Sequence, residues 1–318
     1  TSHLQISFSM KLSARPFQLI FCLACAVFTV NAQAPLVKKQ YSTQKMTATG
    51  IELDGIPNEA AWQDVPWEGD FIQSRPDDGK APSQQTNFKI LYDDKFLYLG
   101  FRCHDTATDS IVERMGRRDE FPGDWIEVNI DSYHDLRTAF SFSLSVSGVK
   151  GDEFVSDNGG NWDTSWNPIW YAKTSIDSAG WTAEMKIPFS QLRYGKTEKP
   201  VWGMQFTRRL FRKEERSTWQ HIPQNAGVWV SAFGELHGLE GVEPQRQIEI
   251  QPYLLAQTER FEKEDGNPFA DGSDSRFTAG VDGKVALTSD LIVDFTVNPD
   301  FGQVEADPGA VRLDGYQI

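Results

Sequence analysis

Cysteine is scarce in this chain of 318 residues, which has three, at positions 22, 25 and 103. Two of them lie in an apolar N-terminal stretch, so Cys103 would stand alone once that stretch is removed, and no internal disulfide could form. The sequence also lacks a paired-cysteine metal motif, a His-Glu-x-x-His motif and a glycine-rich nucleotide-binding loop. These absences argue against a disulfide-built domain, a structural zinc site and the common nucleotide-binding folds.

Long hydrophobic runs are missing as well. The apolar stretch at residues 17–30 has 14 residues, fewer than the roughly 20 that a membrane-spanning helix needs. It follows Lys11 and Arg15 and precedes "NAQAP", which is the pattern of a secretory signal peptide. We expect upstream read-through at residues 1–9, a signal peptide at 10–32 cleaved after Ala32, and export to the periplasm or the cell surface.

Positive charge is in deficit, with 31 Lys and Arg against 45 Asp and Glu, a formal net charge of −14. A nucleic acid or an anionic membrane surface attracts basic proteins. We therefore expect no nucleic-acid partner.

Tryptophan is unevenly distributed, since all ten lie between Trp62 and Trp229. The stretch "GLEGVEPQRQ" at 238–247 combines glycine, proline and charge, which is typical of a linker. The sequence thus predicts a first domain at 47–240, a linker at 241–250 and a second domain at 251–318.

The first domain is a series of short alternating segments. In "AFSFSLSVSG", Phe140, Phe142, Leu144 and Val146 alternate with serines, and in "FPGDWIEVNID" isoleucine and valine alternate with Trp125, Glu127, Asn129 and Asp131. No long segment keeps helical periodicity. The pattern predicts an all-β, antiparallel β-sandwich, which buries one face of each strand and leaves the other for solvent or a ligand.

The second domain has longer alternating strands. Phe277, Ala279 and Val281 share one parity, and Val293, Phe295 and Val297 form a second alternating run, opposed by polar residues. Apolar-out, polar-in strands of about ten residues are typical of transmembrane β-barrels. We expect the N-terminal fragment of an outer-membrane barrel-like domain, truncated before the barrel closes. The alternative is the edge of an ordinary soluble sandwich.

Five motifs carry a resemblance to a known family: "IELDGIPNEAAWQDVP", "LYDDKFLYLGFRCHD", "GDWIEVNID", "GWTAEMKIPFSQL" and "FGELHGL". In this order they resemble family 9 carbohydrate-binding modules, which implies a jelly-roll-like sandwich that binds a glycan or oligosaccharide. "TVNPDFGQVEADP" resembles exported bacterial proteins that join this module to an outer-membrane barrel. That second resemblance implies an association with the outer membrane.

The family resemblance also implies a site. Its two clamping rings fall at Phe121 and Trp229, and its strand glutamate falls at Glu127. Ser143 stands where the family has a basic residue, and Ser145 where it has an amide. Trp125 lies on the same strand face. Aromatic rings pack on the C–H faces of a sugar, and each buried hydroxyl needs a partner, because an unmade hydrogen bond costs about 1–3 kcal/mol.

Each position has a structural alternative. Phe121 would plug the end of the sandwich, Trp125 would cover the open sheet face, and Glu127 would be solvated. "SDNGGNWD" clusters oxygen ligands and leaves a structural calcium ion open beside a plain turn.

Three functions follow from these patterns. The first is carbohydrate binding by a secreted envelope protein, within a polysaccharide catabolic system related to xylanases. The second is a structural plug or interaction domain of a barrel, which the serine at position 143 favours. The third is hydrolysis of O-glycosyl bonds, which needs two carboxylates at a defined separation. The spacing of Glu127, Asp131, Asp163 and Glu184 singles out no such pair.

Overall fold

The computed structural model describes residues 37–47, 50–245, 247–262, 266, 272–287 and 291–299. The read-through and signal peptide predicted at 1–32 lie outside the described residues, as does most of the "TVNPDFGQVEADP" motif.

Strands dominate the described part of the chain, and no α-helix occurs in it. The strands are β1 Gln40–Ser42, β2 Gln44–Lys45, β3 Ile72–Arg75, β4 Thr86–Tyr92, β5 Phe96–His104, β6 Trp125–Asp131, β7 Ala139–Ser145, β8 Lys150–Ser156, β9 Asn161–Asp163, β10 Tyr171–Asp177, β11 Gly180–Pro188, β12 Trp202–Leu210, β13 Glu215–Thr218, β14 Gly234–His237, β15 Ile248–Arg260, β16 Ser273–Ala286 and β17 Ile292–Val297. Short 3-10 turns lie at Ala60–Asp64, Thr108–Ser110, Asp157–Gly159, Phe189–Gln191, Phe211–Lys213 and Val230–Ala232. The all-β prediction is confirmed.

Two sheets form the sandwich. The larger has nine strands in the order β1-β14-β12-β6-β7-β8-β9, with β13 beside the far end of β12 and β3 beside β13. The smaller has the order β10-β11-β5-β4-β2. The pairing is antiparallel except at β1 with β14 and β2 with β4. These two N-terminal strands precede the predicted start at residue 47 and add to one edge of each sheet.

The core lies between the two sheets. Ile126, Val128 and Ile130 of β6 are each at most 1% exposed and belong to the main apolar cluster, as the alternating pattern predicts. Phe88 of β4 and Phe206 of β12 face each other across the layers, with ring centroids 4.0 Å apart. Burial of such rings is the main favourable term in folding.

Glu184 explains two of the family-like motifs. Its carboxylate, on the smaller sheet, accepts hydrogen bonds from the backbone N–H of Asp54 and Gly55 at 3.1 and 3.0 Å. It also accepts one from the Trp62 indole at 3.1 Å. Gly55 has a φ of +92° and a Cβ there would meet the Thr174 backbone at 2.7 Å. One buried carboxylate thus holds both the Asp-Gly turn and Trp62 in place.

Asp93 closes the β4–β5 hairpin in the same way. Its side chain accepts hydrogen bonds from the backbone N–H of Lys95 and Phe96, both at 2.7 Å, and from the Tyr98 hydroxyl at 2.9 Å. The hairpin predicted from "LYDDKFLYL" is therefore present, and its aspartate is a turn residue.

A third sheet contains β15, β16 and β17 in that order. β15 begins inside the segment predicted as a linker. Its register places Ile250, Leu254, Phe277 and Phe295 on one face, where their exposed fractions are 66%, 71%, 70% and 41%. The apolar parity predicted from the sequence is present, whereas the barrel assignment stays a prediction. Across the described ranges, no helix combines the length and the apolar character that a membrane span requires.

Candidate functional site

The outer face of the larger sheet carries the polar half of each alternating strand. Cross-strand register aligns these residues in three rows: Thr207–Glu127–Ser143–Gly151, Arg209–Trp125–Ser145 and Gln205–Asn129–Ser141–Glu153. This face is not simply solvated, because Asn129 and Asp131 are at most 1% exposed. Loops fold over it and leave a groove of about 800 Å³, a volume typical of small-ligand sites.

Five of the six predicted site residues line this groove: Phe121, Trp125, Glu127, Ser143 and Trp229. Ser145 does not. It is 1% exposed, its Oγ lies 2.8 Å from Ser147 Oγ, and it accepts a hydrogen bond from the Val149 backbone N–H at 2.9 Å. Its hydroxyl therefore stabilises the turn between β7 and β8.

Glu127 lies on the groove floor and is held from two sides. The Asn129 side-chain amide donates to its Oε1 at 2.6 Å, and the Ser143 hydroxyl donates to its Oε2 at 3.3 Å. Burial raises the pKa of this carboxyl above its ordinary value, and the two hydrogen bonds act in the opposite direction. Such a fixed carboxylate is a good acceptor for ligand hydroxyls. The sequence did not predict that Asn129 positions Glu127, although the alternation along β6 places both side chains on this face.

Phe121 packs over Gly151, which has no side chain to fill that part of the groove floor. A Cβ at Gly151 would be 2.5 Å from the Phe121 ring tip. The ring centroid is 6.3 Å from that of Trp125, at an interplanar angle of 56°. Phe121 is partly exposed and Trp125 is 8% exposed. Phe121 thus presents a ring to the groove, and Trp125 packs beneath it.

Trp229 also lines the groove and is positioned by the "SDNGG" turn. Asn158 Oδ1 accepts hydrogen bonds from the backbone N–H of Trp229 at 3.3 Å and of Ser231 at 2.9 Å, and its amide donates to the Ser231 hydroxyl at 3.0 Å. A Cβ at Gly159 would meet Trp229 Cβ at 2.6 Å. In the part of the chain that the structure describes, no cluster of three or more His, Cys, Asp or Glu could hold a metal ion. Through Asn158, the turn holds the Trp229 segment in place.

The family model described as "Carbohydrate family 9 binding domain-like" matches residues 53–236, more than half of the chain. The chain belongs to this family.

One solved structure agrees with the assignment of the fold. A candidate carbohydrate-binding protein from Bacteroides uniformis superposes with a TM-score of 0.51 at 14% identity, over 64% of this chain and 100% of that one. A family 9 module from Caldicellulosiruptor kristjanssonii, solved with glucose and with cellotriose, gives TM-scores of 0.47 at 17% and 18% identity, covering 65% of this chain and 97% and 99% of the module. A search of the curated proteins gives no match.

The family 9 domain carries arginines in its groove that sequence reasoning missed. Arg75 on β3, Arg216 on β13 and Arg209 on β12 are direct cross-strand partners, and all three line the groove. Trp125 follows Arg209 in the same row, and the Arg216 guanidinium lies 5.4 Å from its ring centroid. Position 143 on β7 thus lacks a basic residue, but Arg209, Arg216 and Arg75 lie two, three and four strands away. Strands β3 and β13 have four residues each, too few for periodicity to reveal them.

The far wall of the groove is acidic. It contains Asp152 and Glu153 from β8 and Asp119 from the loop between β5 and β6. Asp152 pairs with Arg118 and accepts a hydrogen bond from the Trp170 indole at 3.0 Å. Burial, together with the charges of Glu127, Asp119 and Asp152, raises the pKa of Glu153 to about 7.

The other acids considered for hydrolysis lie outside the groove. Asp131 accepts the backbone N–H groups of Asp135 and Leu136 at 3.1 and 2.9 Å. Glu184 holds the framework on the other sheet, and Asp163 accepts from the backbone N–H of Ser165 at 2.9 Å. All three therefore have structural partners.

The three clustered tryptophans have different roles. Trp162 is 36% exposed, lies on β9 and lines the groove. Trp166 packs on Phe140 and Phe142, and Trp170 is buried. Trp162 thus adds a third accessible ring.

Proposed function

We propose that this family 9 domain binds a saccharide in the groove on the outer face of its larger sheet. The observation that carries the proposal is that the rings of Phe121 and Trp229 line the same groove as the Glu127 carboxylate. The rings offer flat apolar surfaces for the C–H face of a sugar. The floor offers a carboxylate already fixed by Asn129 and Ser143, so little ordering is needed on binding.

Family membership supports the same proposal, because the match spans the strands that build this groove. The motifs that maintain the framework do not distinguish a binding domain from a structural one, since Glu184 and Asp93 stabilise the fold with or without a ligand. The groove supports a binding role, because it keeps polar and aromatic side chains accessible where a purely structural sheet would cover them.

Calorimetric titration tests this proposal. The purified protein is titrated with glucose, cello-oligosaccharides and xylo-oligosaccharides, beside Trp229→Ala and Glu127→Gln. Trp67→Ala is the matched control, because Trp67 is 42% exposed and does not line the groove. We expect saturable binding that both groove variants weaken and the control leaves unchanged. Equal loss in all three variants, or no heat from the folded protein, would contradict the proposal.

We also propose that the chain is exported and that its third sheet is part of a membrane-embedded β-structure, so that saccharide binding serves an outer-membrane protein of a polysaccharide-using system. The apolar face of β15, β16 and β17 supports this, because large exposed apolar patches are rare on soluble proteins. The opposite face of the hairpin carries Asp282 and Lys284, as expected for a lumen. Fractionation of cells tests it, and recovery of the protein in the soluble cytoplasm would contradict it.

A further inference from the structure

The three arginines of the groove form an unusual row. Register places Arg75 opposite Arg216, and Arg216 opposite Arg209. Like charges directly opposite each other on neighbouring strands destabilise a sheet. The repulsion within this row therefore destabilises the free protein, and a nearby negative charge would offset it.

The described residues supply little of that counter-charge. Arg209 pairs with Glu214, but among the residues that the structure describes no hydrogen bond or ion pair reaches the side chains of Arg75 or Arg216. Arg216 Nε is fully buried and has no partner within the described residues. Burial lowers the pKa of Arg216, and the charges of Arg209 and Arg75 lower it further, whereas the charges of Glu127 and Glu214 act in the opposite direction.

The position of the row decides what it can meet. All three arginines line the groove, beside Trp125 and on the opposite side of β6 and β7 from the acidic wall. A guanidinium presents a planar fork of N–H donors that matches a carboxylate or sulfate, and such charge-assisted bonds are about twice as strong as neutral ones. The neighbouring rings would hold a sugar ring at the same time.

We propose that the groove prefers an anionic saccharide, one whose carboxylate or sulfate group lies on the row of Arg75, Arg216 and Arg209. The hydroxyl end of such a ligand points towards Glu127. This inference rests on the proposed saccharide function and names its ligand class.

Titration with matched ligands tests the preference. D-glucuronic acid and glucose 6-sulfate each carry one negative charge on a glucose-like ring, glucose carries none, and acetate carries a charge without a ring. At low salt we expect the charged sugars to bind roughly 10- to 100-fold more tightly than glucose or acetate, as expected for a hydrogen-bonded charge. Comparing the two charged sugars identifies which anion the row takes. The preference should shrink in 0.5 M NaCl, where exposed charges are screened.

Variants test whether the arginine row causes this preference for charged sugars. Arg216→Gln and Arg75→Gln should bind charged sugars no better than glucose. Lys173→Gln is the control, because it removes one positive charge from an exposed position on β10 of the other sheet. Circular dichroism verifies that each variant is folded, and the exposed Arg75 gives a second test if Arg216→Gln does not fold.

The failures are distinguishable. Equal affinity for glucose and glucuronic acid, or a preference that persists in both arginine variants, would overturn the anionic preference and leave saccharide binding intact. Acetate binding as tightly as glucuronic acid would show an anion site only and would also overturn it. No binding of any sugar would refute the proposed function, and this inference with it.

Discussion

Adding one methyl group at Gly151 should move a groove ring without unfolding the sheet. A Cβ there would lie 2.5 Å from Phe121 Cζ, whereas carbon atoms pack best at about 3.5–4.0 Å. The ring tip must therefore shift by roughly 1 Å. The contact is with the far end of a side chain and not with backbone, so the shift costs little stability. A phenyl ring that no longer packs on its ligand loses part of the roughly 1.5–3 kcal/mol that burying it provides.

We therefore expect Gly151→Ala to weaken saccharide binding by about 5- to 30-fold and to change the midpoint of urea unfolding only slightly. Gly195→Ala is the matched control, because nothing lies within 4 Å of a Cβ at Gly195 and its φ is not in the left-handed region. Calorimetry measures affinity, and urea titration measures stability. If Gly151→Ala binds as tightly as the control, Phe121 does not contact the ligand, and the reasoning about the groove wall is wrong.

Three further predictions concern the supports of the site and the fold. Asn158→Ala removes three hydrogen bonds to the Trp229 segment, and alanine is strained at the φ of +56° found there. We expect urea unfolding to show a loss of about 2–4 kcal/mol, against little change in Asn225→Ala, which alters an exposed residue of the loop that leads to Trp229. Glu153→Gln tests the raised pKa of Glu153. The folded protein binds this proton more tightly than the unfolded chain, so ionisation of Glu153 lowers the stability of the wild type as pH rises from about 4.5 through about 7. The variant should therefore be more stable than the wild type at pH 8 but not at pH 4.5. Glu184→Ala leaves three donors without their acceptor, two of them buried. We expect a loss of on the order of 3 kcal/mol in the same assay, and a loss below about 1 kcal/mol would contradict the role of Glu184.

Periodicity was sufficient to predict the sandwich and the floor of the groove. The alternation in β6 and β7 places Trp125, Glu127 and Ser143 on one face whatever the rest of the chain does, because side chains alternate strictly along a strand. The same rule identified the apolar face of β16 and β17.

The walls of the groove depend on pairing between distant segments, which no local pattern reveals. Arg216 faces the groove because four residues of β13 pair with β12 and β3. Asn158 holds Trp229 across 71 positions of sequence. Ser145 has the right parity, yet the turn that follows β7 engages its hydroxyl. Register and loop contacts therefore determine which members of a predicted face reach a ligand.

The most direct test of the central claim is a crystal structure of the protein with the tightest-binding saccharide. We predict a sugar ring between Phe121 and Trp229, with a hydroxyl within hydrogen-bond distance of Glu127. A saccharide bound on another surface, with this groove filled only by water, would contradict the account.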